Sequence, residues 1–222
     1  MKTEKTLAIV LRRTDFGEAD RIVTLLTSEG KISAIARGAR RQKSKLAGGI
    51  EIFAVNEIVL VKGKSDLRTI VSARMREFFG EILKDFDRTD FAYQAIKTIS
   101  NYAENVDNPD FYKILKITLA SLNDSAILLS IVKAWFSLNS TIALGVQVNL
   151  SVDNHGEKLA VDKKYNFDEI NKVFVESGQG EFDSSHIKIL RFMSVAKPKN
   201  IANIKDISRY IIQISQIVKY FN

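Results

Sequence analysis

Apolar and polar residues alternate along the first third of the chain and recur at helical spacing along the rest. Residues 6–13, 21–27, 31–37, 52–62 and 67–75 read as strands. Gly30, after Ser28 and Glu29, permits a tight turn into the third of them. On that strand Ile32, Ala34 and Ala36 point one way, and Lys31, Ser33 and Arg37 the other. On the fifth, Leu67, Thr69, Val71, Ala73 and Met75 alternate with Arg68, Ile70, Ser72, Arg74 and Arg76. Five short strands are too few for a well-covered sandwich and enough for a small closed barrel.

The period changes near Glu77. Phe91, Ala95, Ile96, Ile99, Tyr102 and Ala103 form one helical stripe. Asn108-Pro109 breaks the chain, and a second helix follows over 111–122, with Asp110 as its N-cap. Residues 125–144 read as a helix that is apolar almost all round, the buried centre of a bundle, closed by Gly145. Residues 146–184, with turn-like Asn154-His155-Gly156 and Gly178-Gln179-Gly180 and short β-prone pieces between them, read as an irregular insert. Helix returns over 185–196, and Pro198 stops it. In the terminal helix Ile204, Ile207, Ile211, Ile214, Val218 and Phe221 form a core-facing stripe too short for a coiled-coil seam. The predicted fold class is α+β: a five-stranded barrel over residues 1–80 and a mainly helical domain over 81–222.

Charge sharpens this picture. The formal net charge is +7. Residues 1–82 hold 16 Lys+Arg against 10 Asp+Glu, and residues 83–222 hold 17 against 16, so the excess sits in the strand-rich part. The stretch 30–50 carries six cations, Lys31, Arg37, Arg40, Arg41, Lys43 and Lys45, and no carboxylate. A strand that delivers a cationic Gly- and Ser-containing loop suits a polyanion, because each Lys or Arg meeting a phosphate releases a condensed counterion. Arg adds a planar fork that matches phosphate oxygens.

Other chemistries find little support. There is no Cys, which excludes disulfides and thiolate metal sites. His155 and His186 are far apart and read as turn and helix-capping residues. Asp85, Asp87 and Asp90 read as a solvated linker rather than a nuclease metal site. Gly30-Lys31 and Gly63-Lys64 belong to no complete P-loop. The protein reads as a non-enzyme without cofactors. The apolar run near the N-terminus reads as a strand, not a signal peptide, and no apolar run reaches bilayer length. A cytoplasmic protein is expected.

The segment 8–53 resembles the N-terminal domain of the RecO family of bacterial recombination mediators. The resemblance rests on Phe16-Gly17-Glu18-Ala19-Asp20-Arg21, on Thr27 with Gly30-Lys31, on Ala36-Arg37-Gly38-Ala39-Arg40-Arg41, and on Ser44, Leu46 and Gly48. It implies an oligonucleotide-binding (OB) type of barrel followed by a helical domain. It also implies a protein of the RecFOR pathway that binds single- and double-stranded DNA, anneals complementary strands and helps load the RecA recombinase. The partners so implied are RecR and the C-terminal tail of the single-stranded-DNA-binding protein, with no membrane partner and a monomer when alone. Many relatives carry a four-cysteine zinc element in the helical domain. The corresponding stretch here, about 153–184, has no cysteine, so no structural zinc is expected.

Within this frame the loop cations Arg37, Arg40, Arg41, Lys43 and Lys45, with Lys31 behind them, are the first candidate DNA contacts. Lys62, Lys64 and Arg68 around the turn between the last two strands are the second, and Arg74 and Arg76 could extend the track. Phe53 reads as core, and Phe16 as a packed loop anchor ahead of a stacking platform. Lys188, Arg191 and Arg209 are candidates to receive an acidic, hydrophobic-ended tail. Two other classes stay open on residues alone: an RNA-binding factor of translation or ribosome assembly, and a protein-interaction adaptor.

Overall fold

The computed structural model describes residues 3–62 and 67–221, which group into two compact units divided after Asn123. In the first, β1 (Thr3–Phe16), β2 (Asp20–Thr27), β3 (Gly30–Ala36), β4 (Ala54–Val61) and β5 (Arg68–Phe78) hydrogen-bond in the order β1-β2-β3-β5-β4. β4 also pairs with β1, from Thr3↔Val61 to Ile9↔Val55, so the pairing returns on itself.

The fold-class expectation needs correction at this point. What the strands form is a mixed five-stranded sheet rather than a regular barrel of continuously paired strands. β3 and β5 meet in parallel, over two described residue pairs, Ala34↔Arg68 and Ile35↔Thr69. The other four strand pairs are antiparallel and longer. β3 is too short to follow β5 along its length, since it gives way to the cationic loop at Ala36.

The strict alternation read for the fifth strand also fails. Val59 pairs with Ser72 but Leu60 with Ile70, so Val71 is an extra residue in a bulge. One inserted residue flips the faces beyond it. Ile70 and Ala73 therefore meet the same core, while Val71 is exposed.

That core is filled by Ala8, Val10, Val23, Leu25, Ala34, Ala36, Ile58, Leu60 and Ile70. The alanines suit the narrow space between strands that curve towards one another. Phe53 is buried, as read, and stacks at a tilt on Tyr93. The chain leaving β3 ends in a 3-10 turn, Ala47–Gly49, that lies against β5. A Cβ on Gly49 would overlap the Ala73 backbone, so only glycine permits this approach.

On the other face, Ile9 and Leu26 are buried, and α1 (Phe86–Asn105) and α2 (Asp110–Leu122) pack in the same unit. Asp85 caps α1 by accepting from the Arg88 N–H at 3.0 Å, the role of a structural rather than a metal-binding carboxylate. The helix buries Phe91, Ala95, Ile96, Ile99 and Ala103 as its stripe predicts. Each large apolar side chain so buried contributes about 1.5–3 kcal/mol.

The second unit holds α3 (Leu129–Ala143), α4 (Ser184–Met193), α5 (Pro198–Ala202) and α6 (Ile207–Tyr220). α6 buries Ile207, Ile211, Ile214, Ile217 and Val218 and packs on α3. Pro198 ends nothing: it opens α5, where its missing N–H costs no helix bond. The 146–184 stretch is more regular than its sequence suggests. β6 (Tyr165–Asp168) and β7 (Val173–Glu176) form an antiparallel pair. Phe174, fully buried, meets Tyr165, Phe167 and Phe182 edge-on. Aromatic packing thus holds a segment that contains no cysteine.

Candidate nucleic-acid interface

The cationic loop begins where β3 ends, and the β1–β2 turn holds it in place. Gly38, at φ 64°, donates its N–H to Asp20 Oδ1 at 2.7 Å. The Arg40 N–H donates to the Ala19 carbonyl at 2.9 Å, and its guanidinium reaches the Gly17 carbonyl at 3.3 Å. Asp15 accepts from Arg21 at 3.1 Å and pairs with Arg40 at 3.3 Å. Further along, Arg41 accepts from the Ser44 N–H at 2.9 Å, and Arg13 pairs with Glu51 at 2.9 Å. Exposed ion pairs of this kind are worth at most about 1 kcal/mol each. Their consequence is positional: these contacts fix the loop's path without using the charges of Arg37, Arg41, Lys43 and Lys45.

The predicted site residues then fall into three groups. Arg37, Arg41, Lys43 and Lys45 are exposed, and none forms an ion pair with a described residue. Arg40 belongs to the same loop, but its charge is engaged with Asp15. Lys31 lies apart: its side chain is 17 % exposed and bonds Glu104 and the Ser100 carbonyl of α1. Arg68 is likewise held, donating to both oxygens of Glu4 at 2.9 and 2.7 Å. Lys62 is exposed beside it, and Lys64 lies outside the described residues. Arg74 is exposed, whereas Arg76 pairs with Glu57 at 2.6 Å. Hydrogen bonds from Arg76 and Lys5 hold the Glu57 carboxyl below its ordinary pKa, so it stays a counter-charge.

Sequence reasoning missed Asp15 and Asp20 as the residues that fix the loop. Asp15 precedes, and Asp20 lies within, the Phe16–Arg21 motif that carried the family resemblance, yet nothing in the spacing shows that these acids reach forward to Arg40 and Gly38. Phe16 also differs from its reading. It is 51 % exposed, not packed as an anchor. In the second unit, His186 is the capping residue expected: it is buried and completes a capping box with Asp183 at the start of α4. Its ring also meets Gln213 Oε1 at 2.7 Å. Among the described residues no group of three or more His, Cys, Asp or Glu could hold a metal ion. No helix among them is long and apolar enough to cross a membrane.

A small mixed sheet carrying a pinned loop of exposed cations defines a module whose edge suits a polyanion backbone. Comparison with known proteins gives that module a family. Residues 1–79 match the family model described as "Recombination protein O N terminal". The chain is 35 % identical over 147 residues to a DNA repair protein RecO of Roseiflexus, covering 66 % of this chain and 51 % of that protein. It is 38 % identical over 119 residues to the DNA repair protein RecO of Acetivibrio thermocellus, covering 53 % and 46 %. For the RecO of Alkaliphilus metalliredigens the figures are 32 % over 149 residues, 66 % and 60 %. The family match thus covers residues 1–79, and the chain is similar to RecO proteins over up to 149 residues. These matches span about half the length of the curated relatives.

Proposed function

We propose that this protein binds single- and double-stranded DNA through the loop 37–45, anneals complementary strands and acts as a mediator of recombinational DNA repair. The observation that carries this reading is the division of labour in the loop. Asp15 and Asp20 bond Arg40 and the Gly38 N–H, leaving Arg37, Arg41, Lys43 and Lys45 exposed and without an ion pair among the described residues. Annealing needs no bond chemistry. It needs two polyanions brought together with their repulsion screened and their bases free to pair. Cations that meet phosphates position a strand without reading its sequence.

The partners follow the same logic. RecR and the tail of the single-stranded-DNA-binding protein are partners in this reading. In the second unit Ile189, Phe192, Ile204 and Tyr210 line an open groove of ≈ 420 Å³ rimmed by Lys188 and Lys205. Apolar walls beside two ammonium groups suit an acidic tail with a hydrophobic end. Arg191 is a weaker candidate, since its Nε donates to the Leu150 carbonyl at 2.7 Å. Arg209 is exposed on α6.

The deciding experiment mixes complementary fluorophore-labelled DNA strands with the purified protein and follows duplex formation. Parallel binding assays use single-stranded DNA and RNA of one sequence. Faster annealing with DNA binding supports a mediator. Tight RNA binding without DNA annealing would move the reading to an RNA factor. Binding of neither would leave an adaptor.

A further inference from the structure

We infer that Phe16 is a stacking platform for an unpaired nucleobase, and that it makes the loop site favour single strands over duplex. This rests on the DNA-binding reading of the loop.

Phe16 ends β1 and pairs in register with Asp20, the residue that holds Gly38. The ring stands 51 % exposed at this turn. The turn is not free to fold the ring away. The Gly17 and Ala19 carbonyls are bonded to Arg40, and Asp15 is bonded to Arg21 and Arg40. The ring is therefore displayed on a fixed frame, which lowers the entropy lost when a flat partner settles on it.

Register also places cations around it. Arg12, Thr14 and Phe16 alternate along β1 beyond its bulge and so share a face. Arg12 is exposed. On β3, one strand beyond β2, the pairing Arg21↔Ala36 stops one residue short of Arg37, which puts Arg37 at the level of Asp20. A strand whose phosphates meet Arg12 and Arg37 would carry its bases past the ring. Bases in a duplex are already stacked and paired, so only a single strand can use such a platform.

The test is Phe16→Ala beside Phe16→Trp in the full chain, titrated with a dT oligonucleotide and with a duplex of equal length at several salt concentrations. For Phe16→Ala, single-strand affinity should fall roughly five- to 150-fold, the range for loss of one base–aromatic stack. Duplex affinity should stay within about twofold, and the log–log salt slope should not change because no charge is removed. Phe16→Trp should keep single-strand affinity, and its added fluorescence over the Trp135 background should be quenched by dT and not by the duplex. Equal losses for single strand and duplex would show a merely structural role and overturn the inference. So would unchanged single-strand binding. These outcomes are separable from failure of the underlying reading, in which the unaltered protein itself would bind neither DNA.

Discussion

Removing the unpaired loop cations tests the site most directly. In the variant Arg37→Ala with Arg41→Ala and Lys43→Ala, three exposed side chains without ion-pair partners among the described residues are truncated. Asp15, Asp20 and Arg40 are left to hold the loop. Stability should move little, since surface changes away from caps and cores usually stay within about 0.5 kcal/mol each. If each cation meets one phosphate, the log–log salt slope becomes shallower by roughly 2 for single strands and roughly 2.7 for duplex. Between 50 and 200 mM salt, a fourfold change, the variant would lose affinity about 18-fold less steeply than the parent on single strands, and about 40-fold less steeply on duplex.

The matched control is Lys31→Ala with Arg68→Ala. Those cations are already neutralised by Glu104 and Glu4, so their loss should change the slope much less per charge removed. Fluorescence anisotropy with labelled oligonucleotides across a salt series reads both variants. A folded triple variant with the parent slope would refute the site. A control that flattens the slope as much as the triple variant would refute the division between free and engaged cations.

Other outcomes follow from the packing. Gly49→Ala should destabilise the protein by about 1–3 kcal/mol in urea unfolding, because its Cβ meets the Ala73 backbone. Asp183→Ala should cost about 0.5–2 kcal/mol by removing the α4 cap. Burial works against the Asp183 charge, but hydrogen bonds from the His186 side chain and from the His186 and Ser185 N–H groups outweigh it and hold its carboxyl below the usual range. A depressed carboxylate stabilises the fold above its ordinary pKa and loses that stabilisation as pH falls through the lower, folded value. Acid unfolding curves of the Asp183→Ala variant should therefore lie closest to the parent's at the lowest pH. Elemental analysis of the purified protein should find no stoichiometric zinc, in keeping with the absence of cysteine.

The strands were legible because their signals are local. Alternation at Ile32, Ala34 and Ala36 marks the buried face of β3, and the helical stripe from Phe91 to Ala103 marks that of α1. What escaped depends on pairing between distant residues. The bulge at Val71 appears only when β5 is laid against β4. The short β3–β5 seam depends on where the cationic loop takes over from the strand. The β-prone pieces between 156 and 178 were visible, but their pairing as β6 and β7 was not, because each is four residues long and polar Asn166 and Asp168 sit beside the aromatics. Of the site, the cations were visible as residue types, but whether each was free was not. Lys31 and Arg37 both lie outside the Ile32–Ala36 core set, yet one meets Glu104 and the other has no ion-pair partner among the described residues.

The acids beside the loop show why charge counting alone misjudges such a site. Asp15, Glu18 and Asp20 lie within a few residues of the turn and would, by count, cancel most of the loop's charge. Asp15 instead spends its charge on Arg21 and Arg40, and Asp20 on a backbone N–H. The carboxylates thus act as fasteners, and the cations beyond them keep their full charge at the surface. A loop of cations alone would repel itself and sample many paths, losing entropy on meeting a phosphate backbone. Fastening it at Gly38 and Arg40 moves that ordering into the folding of the protein, so that less is lost on binding. Asp20→Ala should accordingly weaken DNA binding although it removes a negative charge, whereas a purely electrostatic surface would bind more tightly after the same change.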